Sequence, residues 1–279
     1  MTDPYGFDPF AQHPFYAGIN HSLVHRAIAC LDAARPTGER VRIVDLASGT
    51  GAVTQLIMDE VERRGRPATV LGIEPSHEAL QLARERLQGR AVQFIHGDAD
   101  QLTHIVPDVD LVCLCNAIHL IPDTPDAVHK IMSTLSPGGY FACNTTFFTD
   151  AQTPEGERFA HRWIRQACGW LRRRHPDLRP THRGQVAPLA WLSADEYVDL
   201  LEAQGLQVLD QRLELANLPL QAVRDIGRYR LFIAGALPGI PIPIGAEALA
   251  WAADEAAREL DVTEVPRLWL QLLAQRRTS

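Results

Sequence analysis

Between residues 42 and 146, short apolar runs alternate with amphipathic segments, and this alternation constrains the fold more than any other feature. Short apolar runs bounded by glycine, proline or polar residues are typical of buried strands, whereas apolar residues three and four apart predict helices. The predicted strands are 42–47, 69–74, 92–96, 110–115 and 140–146. Strands separated by helices predict a parallel sheet, because right-handed crossovers place the helices on both of its faces.

Local signals indicate where the helices between these strands begin and end. The first predicted helix spans 51–64. Ser76 is placed to cap the second helix, which we expect to end at Gly89. Thr124 is the predicted N-cap of a helix whose first residue is Pro125. The Ser-Pro-Gly-Gly sequence at 136–139 predicts a tight turn before the fifth strand.

Two largely helical insertions, 150–192 and 218–263, interrupt the pattern. Between them, a capping box at 193–196 opens a helix that leads to a sixth strand at 206–215. Leucines alternate within 267–275, and we interpret this segment as a last strand in preference to a short helix. The sequence therefore predicts an α/β fold: a doubly wound, mostly parallel seven-stranded sheet with helical cap insertions after strands 5 and 6.

Composition excludes several classes of protein. Apolar residues make up 46% and charged residues 22% of the 279 residues, which is typical of a folded globular chain. A net charge of −7 argues against a protein that neutralises nucleic-acid phosphates. The five cysteines lack the paired spacing of a disulfide framework. We find no signal peptide and no membrane span, and we predict a cytoplasmic protein.

A glycine-containing turn follows the first predicted strand. In open parallel sheets, ligands bind beyond the carboxyl ends of the strands, most often at the first turn. Gly49 and Gly51 would let the backbone pass close to a ligand and would open a helix whose free N–H groups favour an anion. The alternative is a tight strand-to-helix turn without a ligand.

Acidic residues end the next two strands. Glu74 follows Gly51 by 23 residues, and a carboxylate there can accept hydrogen bonds from both hydroxyls of a ribose. Asp98 lies in the turn after the third strand, where it could accept from an adenine amino group. A solvent-facing charge before a helix is the alternative for Glu74, and an ordinary turn aspartate is the alternative for Asp98.

In order and spacing, residues 45–51, 74–75, 97–99, 116–119 and 135–139 resemble the motifs of class I S-adenosylmethionine-dependent methyltransferases of the small-molecule type. The resemblance is strong over 40–147, moderate over 193–216 and weak elsewhere. The chain departs from the family pattern at Ala47, where the family often has glycine.

The resemblance implies S-adenosylmethionine as cofactor and S-adenosylhomocysteine as product. It implies that Gly49 and Gly51 line the methionine portion and that Ala47 also belongs to the cofactor-binding residues. Asp45 would hold the amino end, directly or through water or the loop. Glu74 would bind the ribose hydroxyls, and Pro75 would flank the adenine. Asp98 would meet the adenine amino group beside the Ala99 backbone, and Asn116 would lie near the sulfonium.

We predict a single methyltransferase domain over 1–279. Residues 1–39 form an N-terminal flap and helices in this scheme, and 40–149 form the cofactor-binding core. The helical insertions at 150–192 and 218–263 flank a core helix and strand at 193–217, and 264–279 provide the last strand and tail.

Three other functions remain open at this point. A nicotinamide-dependent oxidoreductase would need a G-x-G-x-x-G fingerprint, but Thr54 stands where the third glycine should fall. An enzyme of the same fold could use the bound cofactor without methyl transfer, as a cyclase would. The third is a non-catalytic binding subunit.

Catalytic residues are harder to predict, since methyl transfer chiefly requires positioning of acceptor, methyl group and sulfur in line. His119 is the first candidate for a general base, with a packing role as the alternative. The aromatic segment 5–16 is interpreted as a flap over cofactor and acceptor, in which Tyr16 touches the donor; the alternative is an arm packed on the domain. We predict no protein-bound metal site, because no four-ligand zinc constellation is present, and a diffusible magnesium ion bound by aspartate or glutamate is the alternative.

The acceptor is predicted to be a small apolar or anionic metabolite, methylated on O, N or C. Residues 155–183 carry eight arginines against three acidic residues, so the segment from Arg158 to Arg183 could attract an anionic group. A solvated arginine-rich helix is the alternative. We expect no nucleic-acid or membrane partner, and a monomer or a homodimer.

Overall fold

The computed structural model of the chain describes residues 5–36, 38–181 and 191–277. The chain packs as two compact units, each built from separate stretches of sequence. The first unit comprises Met1–Tyr16, Asp150–Leu189 and Leu215–Leu268. The second comprises Ala17–Thr149, Ala190–Glu214 and Trp269–Ser279.

The sheet has seven strands in the order β3-β2-β1-β4-β5-β7-β6. The strands are β1 (Val41–Leu46), β2 (Ala68–Glu74), β3 (Val92–His96), β4 (Val109–Cys115), β5 (Leu135–Thr145), β6 (Leu206–Pro219) and β7 (Glu264–Arg276). Strands β1 to β5 pair in parallel, and β7 runs antiparallel to β5. The predicted fold class is thus confirmed, and the last segment is a strand.

The helices connect these strands or build the first unit. They are α1 (Asp8–Ala11), α2 (Pro14–Ala34), α3 (Ala52–Arg63), α4 (His77–Arg86), α5 (Leu102–Ile105), α6 (Thr124–Thr134), α7 (Pro154–Arg174), α8 (Ala194–Ala203), α9 (Leu220–Ile226), α10 (Arg230–Ala236) and α11 (Ile242–Leu260). Within the described part of the chain, none of them is long and apolar enough to cross a bilayer.

Side-chain caps account for several helix starts in the second unit. The Ser76 hydroxyl accepts from the Ala79 N–H at the start of α4, as predicted. The capping box of α8 is also present, since Ser193 and Glu196 each accept from the other's backbone N–H. The predicted cap of α6 is wrong by one residue. Asp123, not Thr124, accepts from the Asp126 N–H, because its carboxylate reaches the first turn.

The predicted tight turn at 136–139 lies inside β5. Val109 pairs with Leu135, but Leu111 pairs with Tyr140, so extra residues of β5 are accommodated as an irregularity beside β4. Gly138 has φ of 74°, and a Cβ on Gly139 would lie 3.0 Å from the Val109 carbonyl oxygen. The Gly-Gly pair therefore permits a bulge within a paired strand.

The first unit is mainly helical around α7 and α11. Small residues of α11, among them Ala252, Ala253 and Ala256, are fully buried. The Trp163 indole N–H of α7 donates to the Leu249 carbonyl at 2.7 Å. A Cβ at Gly156 would lie 2.5 Å from the Pro266 carbonyl oxygen, so only glycine fits there. These contacts give the unit its own core, which contains residues of the two predicted helical insertions.

Candidate active site

The turn after β1 has an unusual backbone. Ala47, Gly49 and Gly51 have φ of 56°, 54° and 82°, all in the left-handed region. A side chain there costs roughly 1–2 kcal/mol relative to glycine, which gives a physical reason for a preference for glycine at position 47. A Cβ on Gly49 would meet no atom within 4 Å, so this side of the turn is open. Gly51 is the N-cap of α3 and lies close to Ala83.

Glu74 is held beside this turn by two backbone donors. Its Oε2 accepts from the Gly49 N–H at 2.9 Å, and its Oε1 accepts from the Ser76 N–H at 3.0 Å. Burial raises the pKa of Glu74, while the two N–H donors oppose that shift. A carboxylate can accept about four hydrogen bonds, so each oxygen of this fixed group can accept another.

Asp45 is fully buried at the end of β1. The Thr54 hydroxyl donates to its Oδ2 at 2.5 Å. Burial is the largest effect on this carboxyl and raises its pKa to about 7, against the hydrogen bond from Thr54. Position 45 thus holds an acid that can change charge near neutral pH.

The residues predicted to surround adenine lie at the ends of β2 and β3. Asp98 caps the short 3-10 turn Ala99–Gln101, since its Oδ1 accepts from the N–H groups of Asp100 and Gln101 at 3.0 and 3.3 Å. Pro75 is exposed and directly follows the last residue of β2. Its carbonyl oxygen accepts from His96 Nε2 at 2.9 Å. Contact of Asp98, Ala99 and Pro75 with adenine stays a prediction.

Asn116, just past β4, has a side-chain amide whose orientation is determined by its neighbours. It has φ of 53°, and its N–H lies 3.0 Å from both the carbonyl and Oδ1 of Asn144. The Trp269 indole N–H lies 3.1 Å from Asn116 Oδ1. Because an indole N–H can only donate, it requires the amide oxygen on its side. The Asn116 Nδ2 group is buried and lacks a hydrogen-bond partner among the described residues.

Sequence reasoning missed several residues that complete this site. Trp269 lies on β7, and the Asn144 amide donates to Asn20 Oδ1 of α2 at 2.8 Å. Ser48 carries a buried hydroxyl for which the described chain offers no hydrogen-bond partner. A serine inside a glycine turn was a usable signal for Ser48. Trp269 had none, because it is distant in sequence from the turn that it contacts.

His119 lies half-buried on a 3-10 turn after β4, Ile118–Leu120. Its Nδ1 is 3.0 Å from Thr145 Oγ1, and its ring packs against Phe147 at 4.3 Å between centroids. Thr145 Oγ1 also accepts from the Phe147 N–H. If Nδ1 carries the proton and donates to Thr145, Nε2 is an acceptor; the other tautomer makes Nε2 a donor. Its role as a base stays a prediction.

Tyr16 belongs to the first unit, where it is buried in an aromatic cluster. Its ring contacts Phe7 and Phe10 with centroids 5.7 and 6.0 Å apart, and Phe7 also contacts Tyr229. The predicted contact of Tyr16 with the methyl donor stays a prediction.

One group of side chains among the described residues could share a metal ion, His21, His25 and Glu60. Glu60 also accepts from Arg63 and Arg64, and their guanidinium groups lower its pKa to about 2 despite its burial. A cation would have to compete with these two positive groups for the same carboxylate.

Several arginines of the 158–183 segment already have partners in the first unit. Arg162 pairs with Glu259 at 2.8 Å. Arg173 and Arg174 lie over the rings of Trp251 and Trp170, both at 5.3 Å. Arg165 and Arg172 are exposed, and Arg183 lies outside the described residues. Recognition of an anionic group by this segment stays a prediction.

Part of this chain is similar in sequence to known proteins. Residues 43–139 match the family described as "Methyltransferase domain". A fatty-acid O-methyltransferase from Mycolicibacterium smegmatis is 28% identical over 130 residues, 45% of this chain and 44% of that protein. A trans-aconitate 2-methyltransferase from Rhizobium leguminosarum is 36% identical over 101 residues, 36% of this chain and 37% of that protein. The chain thus spans less than half the length of these two relatives.

The fold likeness extends further than the sequence likeness. A Bacillus halodurans protein assigned as a methyltransferase superposes with a TM-score of 0.54 at 16% identity, covering 91% of this chain and 100% of that one. This likeness concerns the fold alone. The matched segment 43–139 contains most of β1, all of β2 to β4 and the glycine turn, so this part of the chain is similar to a methyltransferase domain.

Proposed function

We propose that this chain binds S-adenosylmethionine at the carboxyl ends of β1, β2 and β4 and transfers its methyl group to a small-molecule acceptor. The arrangement of Glu74 carries this proposal. Two backbone N–H groups hold its carboxylate beside the open side of the Gly49 turn. Its remaining lone pairs suit the two adjacent hydroxyls of a ribose.

The other polar groups of the site fit the same cofactor. The Asn116 amide offers a buried donor without a hydrogen-bond partner among the described residues. The Ser48 hydroxyl is also buried and also lacks a partner among them. Such groups cost free energy when left unsatisfied, so a ligand that bonds to them gains affinity. A carboxylate at Asp45 would attract the ammonium group of the methionine portion. Together, these donors and carboxylate acceptors match the groups of a zwitterionic amino acid joined to a ribose.

When bound, the cofactor would supply a methyl group on a sulfonium, and the neutral thioether that remains, S-adenosylhomocysteine, is a good leaving group. The chain's own residues then have to position the acceptor and exclude water. Glu74 would fix the cofactor through its sugar, and Asn116 would fix the end nearer to β4. His119 Nε2 could accept a proton only in the tautomer in which Nδ1 donates to Thr145 Oγ1. An acceptor that is already ionised would need no base.

A carboxylate is the acceptor group that we favour. Both relatives described above are named for carboxylic acids, a fatty acid and trans-aconitate. A carboxylate is ionised at neutral pH and can attack a methyl group directly. In the first unit, the exposed Arg165 and Arg172 carry positive charge that favours binding of an anion.

Calorimetric titration with S-adenosylmethionine tests the cofactor proposal through Glu74→Gln. Loss of a charged acceptor for two hydroxyls should raise Kd about 10- to 100-fold. Glu85→Gln is a matched control, because Glu85 is an exposed residue of α4 whose side chain accepts from the Gln81 amide. Equal affinity of Glu74→Gln and the unaltered chain would refute the proposed ribose contact.

Methyl transfer itself is tested with labelled methyl donor and pools of carboxylic acids, phenols and amines. We expect one pool to gain the mass of one CH₂ group together with the label. A product that changes structure without this mass gain would favour a cyclase-like enzyme. Tight cofactor binding without any product would favour a binding subunit.

A further inference from the structure

Strand β6 lies at one end of the sheet order, next to β7 only. Leu209 and Leu213 are 45% and 51% exposed, and both side chains point to the same face because they are four residues apart on a strand. An edge strand with exposed leucines is a template for pairing with another strand, and proteins commonly avoid it. The exposed edge of β6 is therefore a candidate site for pairing with another strand.

The opposite face of β6 is covered and anchored. Asp210 accepts from Arg26 Nε of α2 at 2.9 Å, and Glu214 accepts from Ser22. Arg212 lies 3.0 Å from Asp210, with about half of its side chain exposed. The α2 contacts hold β6 in place, so its free edge is presented as a defined strand.

The sequence of β6 is complementary to itself when paired antiparallel about Gln211. In that register Leu209 lies opposite Leu213 of a second copy, and Leu213 lies opposite Leu209. Asp210 likewise lies opposite Arg212 of the second copy, so charges of opposite sign meet on the other face. Directly opposed apolar pairs and opposed charge pairs each stabilise antiparallel strands by roughly 0.2–1 kcal/mol.

We propose that the chain forms a homodimer in which the β6 strands of two copies pair antiparallel about a two-fold axis at Gln211. A second copy is favoured over another partner, because a two-fold interface requires one surface patch to complement itself. The residues around Gln211 meet that requirement in both their apolar and their charged positions. The two sheets then become one continuous sheet through β6.

Cysteine cross-linking tests the register. Gln211→Cys places two cysteines directly opposite each other at the axis, with Cβ atoms about 4.5–5.5 Å apart. Gln207→Cys is the matched control on the same face, since its two copies would be about 26 Å apart along the strands at ~3.3 Å per residue. Mild oxidation should give a reducible dimer band for Gln211→Cys and none for Gln207→Cys. Equal cross-linking of the two variants, or none with either, overturns the register.

Sedimentation velocity tests the dimer without an introduced cysteine. The unaltered chain should sediment at twice the mass of one chain, and Leu213→Lys should sediment as a monomer. Leu231→Lys is the control, because Leu231 is similarly exposed at 49% but belongs to α10 and not to β6. A monomer at all concentrations for the unaltered chain overturns the proposal. The outcome is independent of cofactor binding and methyl transfer.

Discussion

The buried carboxyl of Asp45 links the stability of the protein to pH. Its folded-state pKa of about 7 lies above the unfolded value near ~3.9. A raised folded pKa means that the native state binds the proton more tightly. Its stabilising contribution is therefore complete below about pH 4 and is lost as pH rises through 7.

Asp45→Asn should remove this dependence. Asparagine keeps the size of the side chain but cannot ionise, so the variant should gain on the order of 2–4 kcal/mol over the unaltered chain at pH 8. Near pH 4, ionisation of Asp45 should contribute little to the difference in unfolding free energy between the two proteins. Urea unfolding at several pH values measures the difference, with the exposed Asp199→Asn as control. A constant difference between pH 4 and 8 would contradict the assignment.

At this scale, sequence reasoning identified residues that follow a local rule. The glycine turn, the acid ending β2 and the asparagine after β4 are local in sequence, and the structure brings Gly49 and Glu74 into contact at 2.9 Å. It could not identify Trp269, because that contact depends on how the last strand pairs with β5. Nor could it give the orientation of the Asn116 amide, which that same contact determines.

At the scale of elements, β7 connects the end of the chain to the turn after β4. Its antiparallel pairing with β5 puts Trp269 at the Asn116 amide, and Gln271 donates to the Ile19 carbonyl of α2 at 2.8 Å. A strand far from the glycine turn in sequence thus determines which atom of Asn116 remains as a donor. This role explains why a fully buried tryptophan keeps its indole nitrogen bonded.

Trp269→Phe tests whether β7 positions Asn116. Phenylalanine keeps much of the apolar volume but lacks the donor, so the amide can rotate and present its oxygen to the cofactor. We expect the Kd for S-adenosylmethionine to rise about 5- to 30-fold, in line with ~1–2 kcal/mol for one hydrogen bond. Trp251→Phe in the first unit is the control. A loss of stability with unchanged Kd would mean that Trp269 only packs.

Elements were predictable where their signals are local and periodic. The apolar run 109–115 is buried almost throughout, as expected for a strand covered on both faces. The bulge in β5 was not predictable, because Ser-Pro-Gly-Gly favours a turn and only pairing with β4 makes these residues part of a strand. The N-cap of α6 differs by one residue because Asp123 and Thr124 are both good caps and adjacent.

At the scale of the whole molecule, the predicted cofactor residues are unevenly divided between the two units. Asp45, Glu74, Asp98 and Asn116 belong to the second unit, whereas Tyr16 belongs to the first. Each unit draws on stretches distant in sequence, so the division was not visible as a change in composition. The uneven division matters for unfolding, because a ligand stabilises the part of the structure that it binds.

S-adenosylmethionine at 100 times its Kd should stabilise the folded chain by about 2.7 kcal/mol. At roughly 2–4 °C per kcal/mol for a chain of this size, the unfolding midpoint should rise by about 5–10 °C. If the two units unfold separately, only the transition of the second unit should move. Differential scanning calorimetry measures this, with nicotinamide adenine dinucleotide as the control ligand. An equal shift with the dinucleotide would favour the oxidoreductase reading, because both ligands carry an adenosine but only one carries a methionine for Asp45 and Asn116.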